Sequence, residues 1–478
     1  MVMASFLFFL TLFLGVGIAS VMRARGTRRD YYLASRQVSP ALAGLSAIAT
    51  NNSGYMFIGV IGYTYATGLA AVWLMTGWIF GDFLASLFIH KKLRTAAERT
   101  DEATFGGILA CWNGTDFRIY RRVAAVITVL FLGAYAAAQF SAGGKALNAL
   151  FGWDVRAGAV IVSIIVVIYC FAGGIRASIW TDAAQSIAML AAMTVLFVVG
   201  VYNLGGIEGA WRTLDQIPDY MDLSPGDLAF PGLSGVLLFA FGWMFAGFSV
   251  VGQPHVMVRF MALDDVNNMM KARGYYYGFF IVFYILATGV GMLSRVYLPE
   301  LGGMDPELAL PTMARELLPP ALVGLILAGI FAATMSTADS LVLSCSAAVT
   351  HDLVPKRMET PLEIKGATVV VTALALVIAV TGTQSVFSLV IMAWSVLASA
   401  FGPLMLVYAL GGKPGEKMAL AMMLTGVAAA LLWREFNLHN AVYEGMPGIL
   451  AGLAVYVIAR PVHGLLPGKA EPRSIRNR

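Results

Sequence analysis

The chain has 478 residues, of which 59% are hydrophobic and only 12% are charged, and its mean hydropathy is +0.77. A soluble domain carries about 25% charged residues, so this composition excludes an ordinary soluble protein. The apolar residues form stretches of about 17 to 25 residues, the length of a membrane-spanning helix. A membrane β-barrel would show alternating segments of about ten residues instead. We therefore expect an all-α integral membrane protein.

Thirteen apolar stretches are long enough to cross a membrane. The first lacks a preceding basic residue and a cleavage pattern, so we expect a retained helix rather than a signal peptide. The predicted spans are 3–22, 40–67, 70–90, 121–143, 157–173, 183–204, 231–256, 274–298, 319–350, 366–382, 385–411, 417–433 and 446–462.

The basic residues follow this map. Of the 32 Lys and Arg residues, 26 lie in the loops, helix ends and tail on one side of the predicted membrane. By the positive-inside rule that side is cytoplasmic, which puts the amino end outside and the carboxyl end inside. We expect a multi-pass protein of a cell membrane, in a bacterium the inner one. The net charge of +5 then reflects topology, and we expect membrane lipid but no nucleic acid as a partner.

The first polar interruption is the sequence ATNNSG at residues 49–54, in the middle of the second span. Its asparagines, hydroxyl residues and glycine are poor helix formers. Inside a membrane such residues are costly unless protein or a water-filled cavity satisfies them. One interpretation is a broken helix that offers carbonyls to a cation and amides to an anionic group. The other is a polar contact between closely packed helices.

The second interruption lies in the ninth span, where Ala333, Ser336 and Thr337 share one helical face. A carbonyl and two hydroxyls make a small, neutral oxygen surface that suits Na⁺. Alternatively, the hydroxyls bond back to carbonyls of their own helix. Combined with the interrupted second span, the set favours a sodium site built from two helices.

Two further stretches carry polar residues near the cytoplasmic side. Pro254 removes a backbone donor and predicts a break in the seventh span. We expect Arg259 to anchor the inner interface. Asp182, after Thr181 at the expected start of the sixth span, either attracts Na⁺ on its exit path or stabilises a helix amino terminus.

The sequence lacks the phosphate-binding loop of ATP-driven pumps and the common motifs of hydrolases. We therefore expect a sodium-coupled secondary transporter and not an enzyme. Two alternatives remain: a membrane sensor with a transporter fold and a separate partner, and a proton-coupled transporter. The neutral ligand set argues against the second, because proton binding needs a titratable group.

Four motifs resemble those of the sodium:solute symporter family, most closely its sodium/proline symporter branch. They are DYYLASR at 30–36, WTDAAQ at 180–185, GQPHVMVRFMA at 252–262 and AATMSTADS at 332–340. The resemblance covers about residues 5 to 410.

This resemblance implies a leucine-transporter-type fold with two inverted five-helix repeats at 40–204 and 231–411. An extra helix and basic loop would occupy 1–39, and two further helices and a short tail 412–478. It implies a protein that functions as a monomer, with Na⁺ as co-transported ion and a small amino acid or carboxylate as substrate. The implied Na⁺ ligands are the carbonyls of Ala49, Asn52 and Ala333 and the hydroxyls of Ser336 and Thr337. The implied substrate contacts are Asn51, Ser53, Gly54, Tyr135, Gln139, Trp243 and Pro254.

The chain departs from the proline branch at three positions. Asn51 replaces an acidic residue, so a charge that assists Na⁺ binding is absent from the second span. Ala246 and Val250 replace a tryptophan and a tyrosine ahead of the GQPH motif. The pocket is therefore expected to be reshaped, and the sequence leaves the substrate open.

Overall fold

The computed structural model describes residues 1–21, 32–226, 228, 230–299, 305–354, 360–382 and 385–463. Asp30 and Tyr31 of the first motif, and the tail from residue 464, lie outside the described residues. The described chain is helical, and its only extended pairing is an isolated bridge between Val38 and Leu263. The helices are α1 Val2–Val21, α2 Pro40–Asn51, α3 Val60–Thr67, α4 Val72–Thr100, α5 Phe105–Cys111, α6 Arg118–Phe151, α7 Val155–Asn203, α8 Gly206–Asp215, α9 Leu233–Phe248, α10 Pro254–Met261, α11 Met269–Tyr297, α12 Ala309–Leu317, α13 Pro320–Ala347, α14 Pro361–Thr381, α15 Val386–Ala409, α16 Glu416–Glu435 and α17 Gly445–His463.

Every predicted span falls in helical structure, although two of them share α7. Ten helical stretches of the described chain are long and apolar enough to cross a membrane, and two shorter apolar helices cover Val155–Phe171 and Gly445–Ala459. The prediction of an all-α, multi-pass membrane protein is confirmed. The count of thirteen crossings stays a prediction.

One predicted boundary is wrong, because the predicted loop at 174–182 is helical and belongs to α7. The fifth and sixth spans instead meet near Gly174, whose φ of 62° interrupts α7 between the apolar stretches Val155–Phe171 and Gly174–Asn203. Thr181 is therefore no amino-terminal cap, and its hydroxyl donates to the Ala177 carbonyl at 2.9 Å. The polar residues that indicated a loop are instead buried against neighbouring helices.

Helices α13 and α15 form the interior of the bundle. In their most apolar windows 83% and 89% of the residues are buried, against 17% in α1 and 28% in α16. Around them, α4 and α9 cross closely at small residues, since a Cβ on Gly81 would lie 1.8 Å from the Met244 carbonyl oxygen. The polar stretch of α13 is thus held at the centre, where it meets α2, α6 and α7.

Candidate functional site

The second span is broken where the sequence predicted. Helix α2 ends at Asn51, Asn52 takes φ −80° and ψ 60°, and helical structure resumes at Tyr55. Residues 49–54 are buried. Asn52 is 1% exposed, and neither the oxygen nor the nitrogen of its side-chain amide has a hydrogen-bond partner among the described residues. The break therefore leaves polar groups at the centre of the bundle that a ligand would satisfy.

Helix α13 meets this break through two hydroxyls. Ser336 Oγ lies 3.1 Å from the carbonyl oxygen of Ala49 and 3.1 Å from that of Ala333. Thr337 Oγ1 donates to the Thr50 carbonyl at 2.9 Å. A hard cation such as Na⁺ binds its ligand oxygens at roughly 2.3–2.6 Å. Neighbouring oxygens in its coordination shell then lie roughly 3 Å from each other. The spacing at Ser336 is compatible with such a shell.

Helix α6 holds the other side of the break. Gln139 Oε1 accepts from the Gly54 amide at 2.9 Å, and Tyr135 donates to Ser53 Oγ at 3.1 Å. A Cβ on Gly54 would lie 3.0 Å from Gln139 Oε1 and from Thr334 Oγ1, so glycine permits this close approach. Four of the predicted substrate contacts thus lie together. The Gln139 amide nitrogen has no partner among the described residues.

The seventh span is also interrupted, at a short turn over Ser249–Gly252 before α10 begins at Pro254. Gln253 Nε2 donates to the Trp394 carbonyl at 2.9 Å. The ring of His255 is 5.4 Å from that of Tyr135, edge to face. His255, the residue after Pro254, thus reaches Tyr135, and both of its ring nitrogens lack partners in the described chain.

Asn51 lies apart from these predicted substrate contacts. Its amide nitrogen donates to the Tyr276 hydroxyl at 2.5 Å and lies 3.4 Å from Asp82 Oδ2. Tyr276 and Tyr277 donate to the same carboxylate at 2.7 and 2.6 Å. A carboxylate therefore does lie beside position 51, but it is that of Asp82 on α4.

An aromatic layer of Tyr55, Tyr63, Trp78, Phe387 and Trp394 covers the group around Ser53. Trp78 lies 5.8 Å from Tyr55 and 5.4 Å from Trp394 between ring centroids. Phe387 stacks on Tyr63 at 4.9 Å. Nothing in the sequence marked Trp78, Phe387 and Trp394 as site residues, because aromatic residues are frequent in membrane helices.

Trp243 lies on the far side of this layer from the other predicted substrate contacts. Its ring is 6.3 Å from Trp78 and 6.3 Å from Phe387. Trp243, Tyr63 and Phe387 line a cavity of about 750 Å³ at the end of the bundle that carries the predicted external loops. A second cavity, of about 40 Å³, lies towards the end of the bundle that carries most of the basic residues, here called the basic end. Pro254 and Arg259 line it.

Asp182 is paired with Arg259 inside the bundle. Asp182 Oδ2 lies 3.2 Å from Arg259 Nη2, and the two side chains are 0% and 1% exposed. Ser46 donates to the same carboxylate oxygen at 2.6 Å, while Asp182 Oδ1 has no partner among the described residues. The expectation that Arg259 anchors an interface is wrong, because its charge is neutralised in the interior.

Comparisons with known proteins agree with this architecture. The model of the sodium:solute symporter family matches residues 31–426. The high-affinity proline transporter PutP of Bacillus subtilis is 30% identical over 435 residues, which cover 89% of this chain and 90% of that protein. A sodium/proline symporter of Staphylococcus aureus strain JH9 is 30% identical over 469 residues, covering 93% and 90%.

Among solved structures, a Na⁺-coupled sialic acid symporter in an outward-open state superimposes with a TM-score of 0.77 at 20% identity, over 96% of this chain and 97% of that one. MhsT in complex with L-phenylalanine superimposes with a TM-score of 0.58 at 14% identity, over 91% and 99%. These likenesses show the leucine-transporter-type fold. With the family match and the 30% identical relatives, they establish that the chain belongs to the sodium:solute symporter family and carries a small solute together with Na⁺.

Proposed function

We propose that this symporter binds Na⁺ between the broken second span and α13 and imports a small amino acid, with proline as the first candidate. The proposed Na⁺ ligands are Ala49, Asn52, Ala333, Ser336 and Thr337. The observation that carries this assignment is the Ser336 hydroxyl, which lies 3.1 Å from two carbonyl oxygens on separate helices.

The substrate is proposed to lie beside Na⁺, between the break and the aromatic layer. The contacts observed among Ser53, Gly54, Tyr135 and Gln139 support a pocket there. These groups are neutral, so a carboxylate would be stabilised by the bound Na⁺ and by backbone amides at the resumed helix, as at other helix amino termini. Two relatives are named for proline. Of the remaining predicted contacts, we assign Pro254 to this pocket and Trp243 to its external entrance. Asn51 is assigned a structural role, in which its side chain holds α2 in position.

The proposed cycle is alternating access between the two sides of the bundle. Na⁺ and substrate enter from the larger cavity, the aromatic layer closes over them, and the interior opens towards the smaller cavity. Asp182, whose Oδ1 has no hydrogen-bond partner in the described part of the chain, is assigned to the Na⁺ exit path. The membrane potential contributes about 2.3 kcal/mol per charge for each 100 mV.

The proposed orientation has the amino end outside and the carboxyl end in the cytoplasm of a bacterial cell. The bias of 26 of 32 basic residues towards one side supports it. We assign the first five-helix repeat to 40–204 and its inverted partner to 231–411, and we propose that one chain suffices for transport.

The test is uptake of labelled amino acids and small carboxylates into proteoliposomes under an imposed Na⁺ or H⁺ gradient. We expect Na⁺-driven uptake, and a tenfold or greater loss of apparent Na⁺ affinity in Ser336→Ala and Thr337→Ala. Ser346→Ala is the matched control, because its hydroxyl lies on the same helix but contacts the Ile364 carbonyl at 3.2 Å. Unchanged Na⁺ affinity in both site variants would exclude this cation site, while uptake driven only by H⁺ would exclude the coupling.

A further inference from the structure

A basic pocket opens at the end of α4, away from the transport site. It has a volume of about 730 Å³ and lies between α4, the end of α5 and the turn after α15. Three cationic side chains line it, and no carboxylate is among the described residues that do so. The residues that define the basic pocket are Lys91, Lys92, Arg99, Trp112 and Tyr408.

The pocket lies where the lipid-facing surface of α4 ends. The side of α4 that carries Phe80, Phe83, Leu87 and Phe88 is exposed, at 53%, 40%, 43% and 53%. Such residues face acyl chains in a membrane-spanning helix. Lys91 follows Leu87 by four residues and Phe88 by three, so it extends the same face. This position corresponds to the boundary between the hydrocarbon and the phospholipid headgroups, where lysines extend towards the polar layer.

One buried group in the pocket lacks a partner. Tyr408 is 4% exposed, its ring stacks on Trp112 at 5.1 Å, and its hydroxyl has no hydrogen-bond partner in the described chain. An unpaired buried hydroxyl is costly. A phosphate oxygen would accept its proton, and a stacked aromatic pair is typical of the membrane interface.

The cations of the pocket also have no acidic partner among the residues that the structure describes. Lys92 donates to the Ala409 carbonyl and Arg99 to that of Trp112, at 2.5 Å for Arg99. The nearby carboxylates are engaged with other arginines. Glu98 pairs with Arg94 at 2.9 Å, and Asp116 pairs with Arg121 at 2.9 Å. The positive charge of the pocket is therefore uncompensated within the described chain.

We propose that the basic pocket binds the phosphate of an anionic phospholipid headgroup, with the acyl chains lying along the exposed face of α4. Phosphatidylglycerol has the required chemistry, a single negative charge on a phosphate with hydroxyls beyond it. A soluble phosphate would fit the charges equally well, but it would leave the adjoining apolar face of α4 unused. The continuity of that face with Lys91 is what favours a lipid.

The test is native mass spectrometry of the purified full-length chain incubated with phosphatidylglycerol or, as the zwitterionic comparison, phosphatidylcholine. We expect retention of phosphatidylglycerol over phosphatidylcholine, weakened about fivefold by each of Lys91→Ala and Arg99→Ala, since one cation near a lipid surface contributes about that factor. Tyr408→Phe should weaken it too, because it removes the hydroxyl while keeping the stacked ring. Lys271→Ala is the control, as this exposed lysine lies on the same basic end of the bundle but outside the pocket.

Three results would overturn the proposal. The first is equal retention of the two lipids by the wild type. The second is equal retention of phosphatidylglycerol by the Lys91→Ala, Arg99→Ala and Lys271→Ala variants. The third is displacement of the lipid by millimolar inorganic phosphate, which would identify the pocket as a site for a soluble anion. A variant that fails to fold is recognised by its melting curve. Tyr408→Phe, which changes no charge, then tests the proposal by itself: weaker retention of phosphatidylglycerol supports it, and unchanged retention overturns it.

Discussion

Two residues of opposite charge, Asp182 and Arg259, illustrate how the interior tolerates ions. Arg259 also donates to Ser178 Oγ at 2.9 Å and to the His255 carbonyl at 2.7 Å, so its guanidinium links α10 to α7. Removing one member of a buried pair leaves an uncompensated charge, which costs about 3–5 kcal/mol. The pair is therefore a structural requirement, whatever part Asp182 has in Na⁺ release.

We predict that Asp182→Asn destabilises the folded protein by about 3 kcal/mol, because it removes the carboxylate that the Arg259 guanidinium contacts directly in the described chain. The measurement is the free energy of unfolding in detergent micelles. Glu208→Gln is the control: Glu208 pairs with Arg212 on the surface of α8, where both side chains are more than 70% exposed. That change should cost less than about 1 kcal/mol. Equal effects of the two substitutions would contradict the buried pair.

Residue types around the transport site could be predicted from sequence, but their directions could not. Residues 49–54 were recognised because polar residues interrupt an apolar run. Ser53 meets Tyr135, whereas Asn51 turns towards Asp82 and Tyr276. Those partners are separated from Asn51 by 31 and 225 positions along the chain. Which neighbour a side chain of a broken helix reaches is decided by packing, which one sequence does not encode locally.

At the scale of helices, Glu307 connects an external segment to the aromatic layer. Its two carboxylate oxygens accept from the backbone amides of Val386 and Phe387, at 3.0 and 2.8 Å, at the start of α15. Lys145 of α6 lies 2.5 Å from the same carboxylate. Because the first turn of α15 carries Phe387, this contact fixes the ring that stacks on Tyr63.

We predict that Glu307→Gln loosens the aromatic layer, since the amide replaces one acceptor oxygen with a donor facing a backbone N–H. The readout is the rate at which a membrane-impermeant reagent labels Ile391→Cys, a position 5% exposed and one turn beyond Phe387. We expect labelling to become several-fold faster. Background labelling of the native cysteines is low. Cys170 and Cys345 are buried, and burial raises the pKa of the Cys111 thiol to about 11, which keeps it in the unreactive protonated form.

Asp305→Asn is the matched control for this prediction. Asp305 also contacts Lys145, but its side chain caps the turn at Glu307, and no hydrogen bond joins it to α15 within the described residues. An asparagine keeps the capping oxygen and removes the charge. If both substitutions accelerate labelling equally, the charge on Lys145 and not the cap on α15 controls the layer.

Helix boundaries show a similar limit on prediction. The breaks at residues 49–54 and at Pro254 were predicted because their residues disfavour helices. The helical structure of residues 174–182 was not predicted, because they contain Arg176, Thr181 and Asp182 between two apolar runs, which is also the pattern of a loop. Asp182 is neutralised by α10 and α2, so the helix continues through it. Tertiary pairing thus overrode the local pattern.

At the scale of the whole molecule, the proposed Na⁺ site joins α2 to α13, which belong to opposite repeats of the assigned fold. An ion that binds the folded state but not the unfolded chain stabilises the protein by mass action, by about 2.7 kcal/mol at one hundred times its dissociation constant. We therefore predict that the melting temperature rises with NaCl and not with choline chloride at equal ionic strength. The rise should disappear in Ser336→Ala and persist in Ser346→Ala. A rise of the same size in Ser336→Ala would mean that Na⁺ stabilises the bundle from another place, and the link between the two repeats would have to be sought elsewhere than at Ala49 and Ala333.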